Sequence, residues 1–192
     1  PQAALRSLRF APPQRESIQE MNPFRPRSLL QGGHRQTLLG HFLRSHLTWP
    51  FPSEDLAIEV SPEVRLLLRL TRQPCKAHRR TPVLLLIHGL EGCDRSGYIL
   101  STGELAFRQG WHVARMNLRG CGDALELCPR LYNSDVTGDV LAVLHRLSAE
   151  FDRTAVCGFS LGANLALLTL GRHRHQLPDS LAALVAVSPP LD

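Results

Sequence analysis

Gly158, Phe159, Ser160, Leu161 and Gly162 spell G-x-S-x-G between two apolar stretches. Thr154 to Cys157 before it is short and β-favouring, and Leu161 to Leu170 after it is rich in Ala and Leu with no breaker. That context predicts a strand, a tight turn and a helix, with the serine held in strained backbone geometry at the turn. Glycine suits both flanks, because a Cβ at either would collide as helix and strand close together. The chemistry on offer is nucleophilic attack on an acyl carbon. An exposed hydroxyl sits at a helix N-terminus, where the Leu161 N–H can face the oxygen that becomes negative. The bare pentapeptide is a common chance pattern, and an ordinary glycine-flanked turn is the alternative reading.

A serine nucleophile needs a base. His88 opens the stretch His88-Gly89-Leu90-Glu91-Gly92 after the apolar run Pro82 to Ile87. In hydrolases built on such an elbow the acid and the histidine follow the serine in the chain, so His88 reads as a hydrogen-bonder that orders its loop. After Ser160 come only Asp179 and Asp192 as acids and His173 and His175 as histidines. The two histidines lie beyond the helix that starts at Leu161, about 15–20 Å from the serine at 1.5 Å per residue. A general base must come within about 3 Å. The acid and base are therefore expected outside this chain. Arg119, beside Gly120 and Gly122, could take a carboxylate or phosphate, but an arginine in a tight turn has many carbonyls in reach and is read as a tie between loops.

His41, His46, Cys75 and His78 have no partner at metal-ligand spacing. The cysteines, Cys75, Cys93, Cys121, Cys128 and Cys157, include no C-x-x-C pair, so neither a zinc site nor a disulfide framework is expected. No metal and no cofactor is expected.

The elements that must position these residues alternate along the chain. Leu56, Ile58 and Val60, then Val64, Leu66, Leu68 and Leu70, alternate with polar residues and predict an antiparallel pair with one solvated face, turning at Ser61 to Glu63. The runs 82–87 and 181–187 predict strands buried on both faces of a parallel sheet. A further strand is expected over 111–117. Tyr98 to Gln109 has the composition of an amphipathic helix closed by Gly110. Ser134 or Asp135 is placed to cap a helix reaching about Glu150, with a core stripe of Val136, Val140, Leu141, Val143, Leu144 and Leu147. Asp139 within it needs a partner if buried.

The order implies a three-layer α/β/α fold with a mostly parallel sheet and right-handed crossovers. Ligands gather at the carboxyl ends of such strands, which puts the 88–92 loop beside the site. Residues 1–30 read as an irregular arm, 31–192 as the folded domain, 39–47 as a short helix and 73–81 as a polar loop.

With 192 residues, 43% hydrophobic and 20% charged, the chain can bury a sizeable core. It is short for a single α/β domain, which commonly needs about 200–250 residues, and is read as a fragment lacking its C-terminal strands. The net charge of +5 is spread over scattered arginines, Lys76 being the only lysine, so no nucleic-acid partner is expected. The irregular cysteines and the lack of a secretory or membrane-spanning run fit a cytoplasmic protein.

Taken together, HRQTLLG at 34–40, HGLEG at 88–92, RSGYI at 95–99, MNLRGCG at 116–122, GFSLGANL at 158–165 and VSPPLD at 187–192 resemble the α/β-hydrolase family of YheT-type bacterial proteins. That group also holds the plant EMB8 proteins and the animal ABHD1/2/3-like lipases. The resemblance implies a carboxylic ester hydrolase acting through Ser160. The backbone N–H groups of Leu161 and Leu90 match its oxyanion hole, and Gly89, Glu91 and Gly92 form the substrate-side loop. It also implies a small-molecule or lipid ester as substrate, with peripheral membrane contact left open. Asp135 and Arg35 depart from the family pattern, which bears on subfamily more than on class. The competing readings are an inert hydrolase-fold binding module and an acyltransferase using the same serine.

Overall fold

The structure, a computed structural model, describes Ser28, residues 31–36, Leu39 and residues 47–74, 79–128 and 131–190. The chain forms two compact units, Pro1–Gly40 and His41–Asp192. In the first, residues 33–36 make a helical turn. The irregular arm, most of the 39–47 helix, His41, His46, Cys75, His78 and Asp192 lie outside the described residues.

The second unit is built on one six-stranded sheet. Its strands are β1 (Glu54–Ser61), β2 (Val64–Thr71), β3 (Val83–Ile87), β4 (His112–Met116), β5 (Thr154–Phe159) and β6 (Leu181–Val187), arranged β1-β2-β4-β3-β5-β6. β1 pairs antiparallel with β2, and β2 with β4. The remaining pairs, β4 with β3, β3 with β5 and β5 with β6, are parallel. Three helices join the parallel strands: α1 (Gly97–Arg108), α2 (Thr137–Ser148) and α3 (Leu161–Arg172).

Two apolar clusters show the layering. Leu86, Ile99, Val113 and Cys157 pack on the α1 side, together with Trp49, Tyr98, Phe107 and Phe159. Val140, Val143, Leu144 and Leu147 of α2 and Leu165 and Ala166 of α3 pack with Leu66, Leu68, Leu85, Met116 and Val156 on the other. One helix therefore covers one face and two cover the opposite face, the three-layer arrangement expected when every crossover is right-handed. The chain leaves β3 toward β4 and returns past it to β5, so the carboxyl ends of β3 and β5 meet at the point where strand order reverses. That is where ligands bind in open α/β sheets.

Four local expectations are corrected. The predicted solvated face exists on β1, where Asp55, Ala57 and Glu59 are exposed, but β2 is closed on both faces, with Leu66, Leu67, Leu68 and Leu70 all buried. β2 is an interior strand, and Leu67 interrupts the alternation because it too is covered. β6, expected to be buried on both faces, lies at the sheet edge with Val185 55% and Val187 38% exposed. β6 is the last strand among the described residues, with α3 packed on it. Helix α2 begins one or two residues later than expected, with Val136 at its N-cap position and no side-chain cap. Asp135 instead pairs with Arg172, and its N–H bonds the Asn133 side chain. Finally, the tight turn expected at Arg119 and its flanking glycines runs on into a short 3₁₀ helix, Gly122–Leu127. Gly110, by contrast, closes α1 at a φ of 89°, the conformation its position predicts.

Candidate active site

The serine turn is what its glycines predict. Ser160 sits between β5 and α3 with φ 49° and ψ −117°, a region that costs a non-glycine residue roughly 1–3 kcal/mol and persists only when the surroundings enforce it. Packing supplies that enforcement. A Cβ on Gly158 would come 2.5 Å from the Gly162 carbonyl oxygen and 2.7 Å from the Ala163 Cα. One on Gly162 would overlap the carbonyl oxygens of Ile87 and His88. Helix α3 thus lies directly against the ends of β3 and β5.

The Ser160 N–H donates to the Val187 carbonyl (2.9 Å), and the Ser160 carbonyl accepts from the N–H groups of Ala163 and Asn164 (both 3.0 Å). The backbone is tied on three bonds, while the residue is exposed and its Oγ has no hydrogen-bond partner among the described residues. The Leu161 N–H, first of the helix, is likewise uncommitted among them. This is a fixed hydroxyl beside free helix-end donors, the arrangement that stabilises charge developing on a bound carbonyl oxygen.

The loop after β3 faces it. A Cβ on Gly89 would lie 3.1 Å from the Ser160 Cβ and 3.2 Å from the Phe159 carbonyl oxygen, so the two backbones are in contact. The Gly92 N–H closes a tight turn onto the Gly89 carbonyl (3.1 Å), with Glu91 at φ 56° inside it. A Cβ on Gly92 would meet the Tyr98 hydroxyl at 2.7 Å. Leu90, at the tip, is 68% exposed.

His88 is fully buried beneath this turn. Its Nε2 accepts the Leu118 N–H (3.1 Å), which leaves the proton on Nδ1 to be donated to the Gly89 carbonyl (2.7 Å). Burial pushes its pKa below the usual value, against the Gly89 carbonyl and Asp94, which favour the charged form. A buried imidazole with both nitrogens engaged orders its loop and is not free to act as a base, as its place in the chain predicts.

Arg119 also ties two elements, but through a carboxylate and not through the backbone carbonyls expected. Its Nε and Nη2 donate to the two oxygens of Asp139 (2.7 and 2.6 Å), a fully buried carboxylate on α2. Those bonds to Asp139 hold the guanidinium above its usual pKa against the cost of burial.

His173 lies just past the far end of α3, where its Nε2 shares a hydrogen bond with the Thr137 hydroxyl (3.0 Å). Among the described residues, no imidazole hydrogen-bonds Ser160.

Sequence reasoning missed the groups that hold the loop. The Gly89 N–H donates to the Tyr98 hydroxyl and the Glu91 N–H to the Tyr132 hydroxyl, both at 3.0 Å. Asp94, fully buried at the loop's far end, accepts Arg69 Nη1 (2.7 Å), donates its N–H to the Asn117 side chain (2.9 Å) and has its carbonyl bound by Arg115 Nη1 (3.2 Å). Arg115 stacks over Trp49 at 4.1 Å, and burial lowers its pKa to about 10 while Asp94 opposes the shift. The only signal available was a buried-element arginine at 115 inside an apolar strand, which has to find an anion or carbonyl nearby.

Residues 82–192 match the family model described as the alpha/beta hydrolase fold. The chain belongs to that family. Among curated proteins it is 31% identical over 155 residues to YheT of Escherichia coli (strain K12), which bears the name of an esterase; the match covers 80% of this chain and 45% of that one. It is 29% identical over 114 residues to the monoacylglycerol lipase of Saccharomyces cerevisiae, covering 58% of this chain and 25% of that one. The chain thus spans less than half the length of these relatives. In three dimensions it superposes on the Pyrococcus furiosus esterase Pf2001 with a TM-score of 0.61 at 20% identity, over 73% of this chain and 53% of that one, a likeness of fold. No helix among the described residues is long and apolar enough to cross a membrane.

Proposed function

We propose that the protein is a serine hydrolase that cleaves carboxylic esters, of short-acyl, acylglycerol or phospholipid type, through an acyl-enzyme on Ser160. The observation that carries this reading is the Ser160 backbone at φ 49°, locked between two glycines whose positions admit no Cβ, with an exposed hydroxyl uncommitted among the described residues. Strain of this kind is retained where it serves a reaction. The ester-cleaving names of YheT and the yeast lipase support the same class.

In the proposed reaction a histidine from elsewhere in the full-length protein takes the Ser160 proton as Oγ bonds to the ester carbon. The carbonyl oxygen becomes an oxyanion held by the Leu161 and Leu90 N–H groups. The carbon–oxygen bond to the alcohol breaks, and the histidine returns the proton to the departing alcohol. Water then adds to the acyl-enzyme by the same route and releases the acid.

One backbone donor to the oxyanion is worth roughly 3 kcal/mol, about a hundredfold in rate. The test is ester cleavage by the full-length protein and its Ser160→Ala variant. Loss of activity on the order of a millionfold is expected, on the scale of serine knock-outs in serine hydrolases. Unchanged turnover in the variant would sink the assignment.

A further inference from the structure

The loop at 89–92 presents four successive N–H groups, and three are spent. Gly89 donates to the Tyr98 hydroxyl (3.0 Å), Glu91 to the Tyr132 hydroxyl (3.0 Å) and Gly92 to the Gly89 carbonyl (3.1 Å). The Leu90 N–H alone has no partner among the described residues. The hydroxyls on either side therefore select which donor is left for a ligand and in which direction it points.

Of the two, Tyr98 also reaches the serine turn. It is the second residue of α1, and its ring packs on that of Phe159 with centroids 4.8 Å apart and planes at 50°. Phe159 is the residue before Ser160, and its carbonyl is one of the atoms against which Gly89 is pressed.

We propose that Tyr98 is a positioning residue for ester cleavage: its hydroxyl fixes the Gly89 peptide while its ring is braced on Phe159, so that one side chain sets the Leu90 N–H relative to Ser160. This rests on the reading of Ser160 as the nucleophile. The physical ground is the narrow tolerance of oxyanion stabilisation. Donors act when they stand 2.7–3.1 Å from where the oxyanion forms, and a misplacement of about 1 Å can cost a hundredfold in rate. Losing the Tyr98 hydroxyl leaves the Gly89 N–H to seek another partner by rotating the His88–Gly89 peptide, which moves the Gly89 Cα and so shifts the next peptide, the one that carries the Leu90 N–H, against its remaining bonds from His88 Nδ1 and the Gly92 N–H to the Gly89 carbonyl. Ground-state binding of the ester gains little from that N–H, so the loss falls on kcat.

Tyr98→Phe in the full-length protein keeps the ring and its contact with Phe159 and removes only the acceptor. The expected result is a fall in kcat of about tenfold or more with KM within about twofold. The affinity for a boronic acid that mimics the tetrahedral intermediate is expected to fall in parallel. Fluorophosphonate labelling of Ser160 in the wild-type protein separates this inference from the one it rests on. If Ser160 is not labelled, the nucleophile assignment fails. If it is labelled and Tyr98→Phe keeps kcat and boronate affinity within about twofold, whatever its thermal stability, the positioning role is overturned. Should Tyr98→Phe fail to fold, Tyr98→p-aminophenylalanine retains the shape with a poorer acceptor. The same fall in kcat then supports the proposal, and its absence overturns it.

Discussion

Two backbone turns meet at Ser160, and they are held differently. The serine turn is fixed by what it lacks. Gly158 and Gly162 bring α3 so close to β3 and β5 that any Cβ would strike backbone atoms, which rarely yield. The facing turn at 89–92 contains glycines too, but what holds it is borrowed: the Tyr98 and Tyr132 hydroxyls, and the buried His88 imidazole bridging Leu118 N–H and Gly89 carbonyl. The proposed nucleophile is thus set by local sterics, and its proposed oxyanion partner by side chains gathered from three separate stretches of chain. The first kind of restraint is strong and brittle. The second is a sum of bonds worth about 1 kcal/mol each, and can be adjusted one bond at a time.

Gly162→Ala attacks the first turn and carries the largest expected effect. The added methyl overlaps the Ile87 and His88 carbonyl oxygens, so α3 must leave the sheet. A loss of about 4 kcal/mol or more, or failure to fold, is expected in urea denaturation. A loss below about 1 kcal/mol would mean that the two turns part cheaply and that sterics are not what fixes the serine.

His88→Gln tests the second turn at an intermediate level. Glutamine cannot make both imidazole bonds with the same geometry, and a loss of about 1–3 kcal/mol is expected. The pH dependence is more telling. Burial holds the folded-state pKa of His88 below the usual 6.5, so the unfolded chain takes up the proton first as pH falls. His88 therefore contributes no pH slope well above the usual 6.5, and its effect lowers stability as pH drops beneath that value. Urea midpoints taken on both sides should show this decline in the parent protein and a shallower one in His88→Gln. An identical slope in both would remove His88 from the account.

Leu90→Ala is the smallest perturbation and sharpens the contrast. The side chain is 68% exposed, and the backbone N–H is untouched. Stability within about 0.5 kcal/mol of the parent is expected in the same denaturation experiment. A large loss would show that the leucine side chain, not the flanking bonds, sets the turn.

The same contrast explains what could be read from the sequence. Ser160, its turn and the helix behind it were legible because close backbone approach demands glycine at particular spacings, and residue type records that demand directly. Asp139 could be read only as needing a partner if buried, and its pairing with Arg119 was not legible, because the two residues are brought together by the packing of α2 on the sheet. The alternation of strands and helices carried the layer order.

Tyr98 reads as one more residue of an amphipathic helix, because neither its hydroxyl partner nor Phe159 is near in sequence. The covered second face of β2 is missed for a related reason. Burial depends on what lies beside a strand, and strand order is a property of the whole sheet. The cap of α2 failed as a prediction: Val136 takes the N-cap position with no side-chain cap, and Asp135 pairs with Arg172 instead.

The most direct test of the central claim is covalent. The full-length protein is treated with a fluorophosphonate, digested and mapped by mass spectrometry. One adduct is expected, on the peptide carrying Gly158 to Gly162 at Ser160, and none in Ser160→Ala. An adduct on another residue with ester cleavage intact, or undiminished labelling of Ser160→Ala, would contradict that claim.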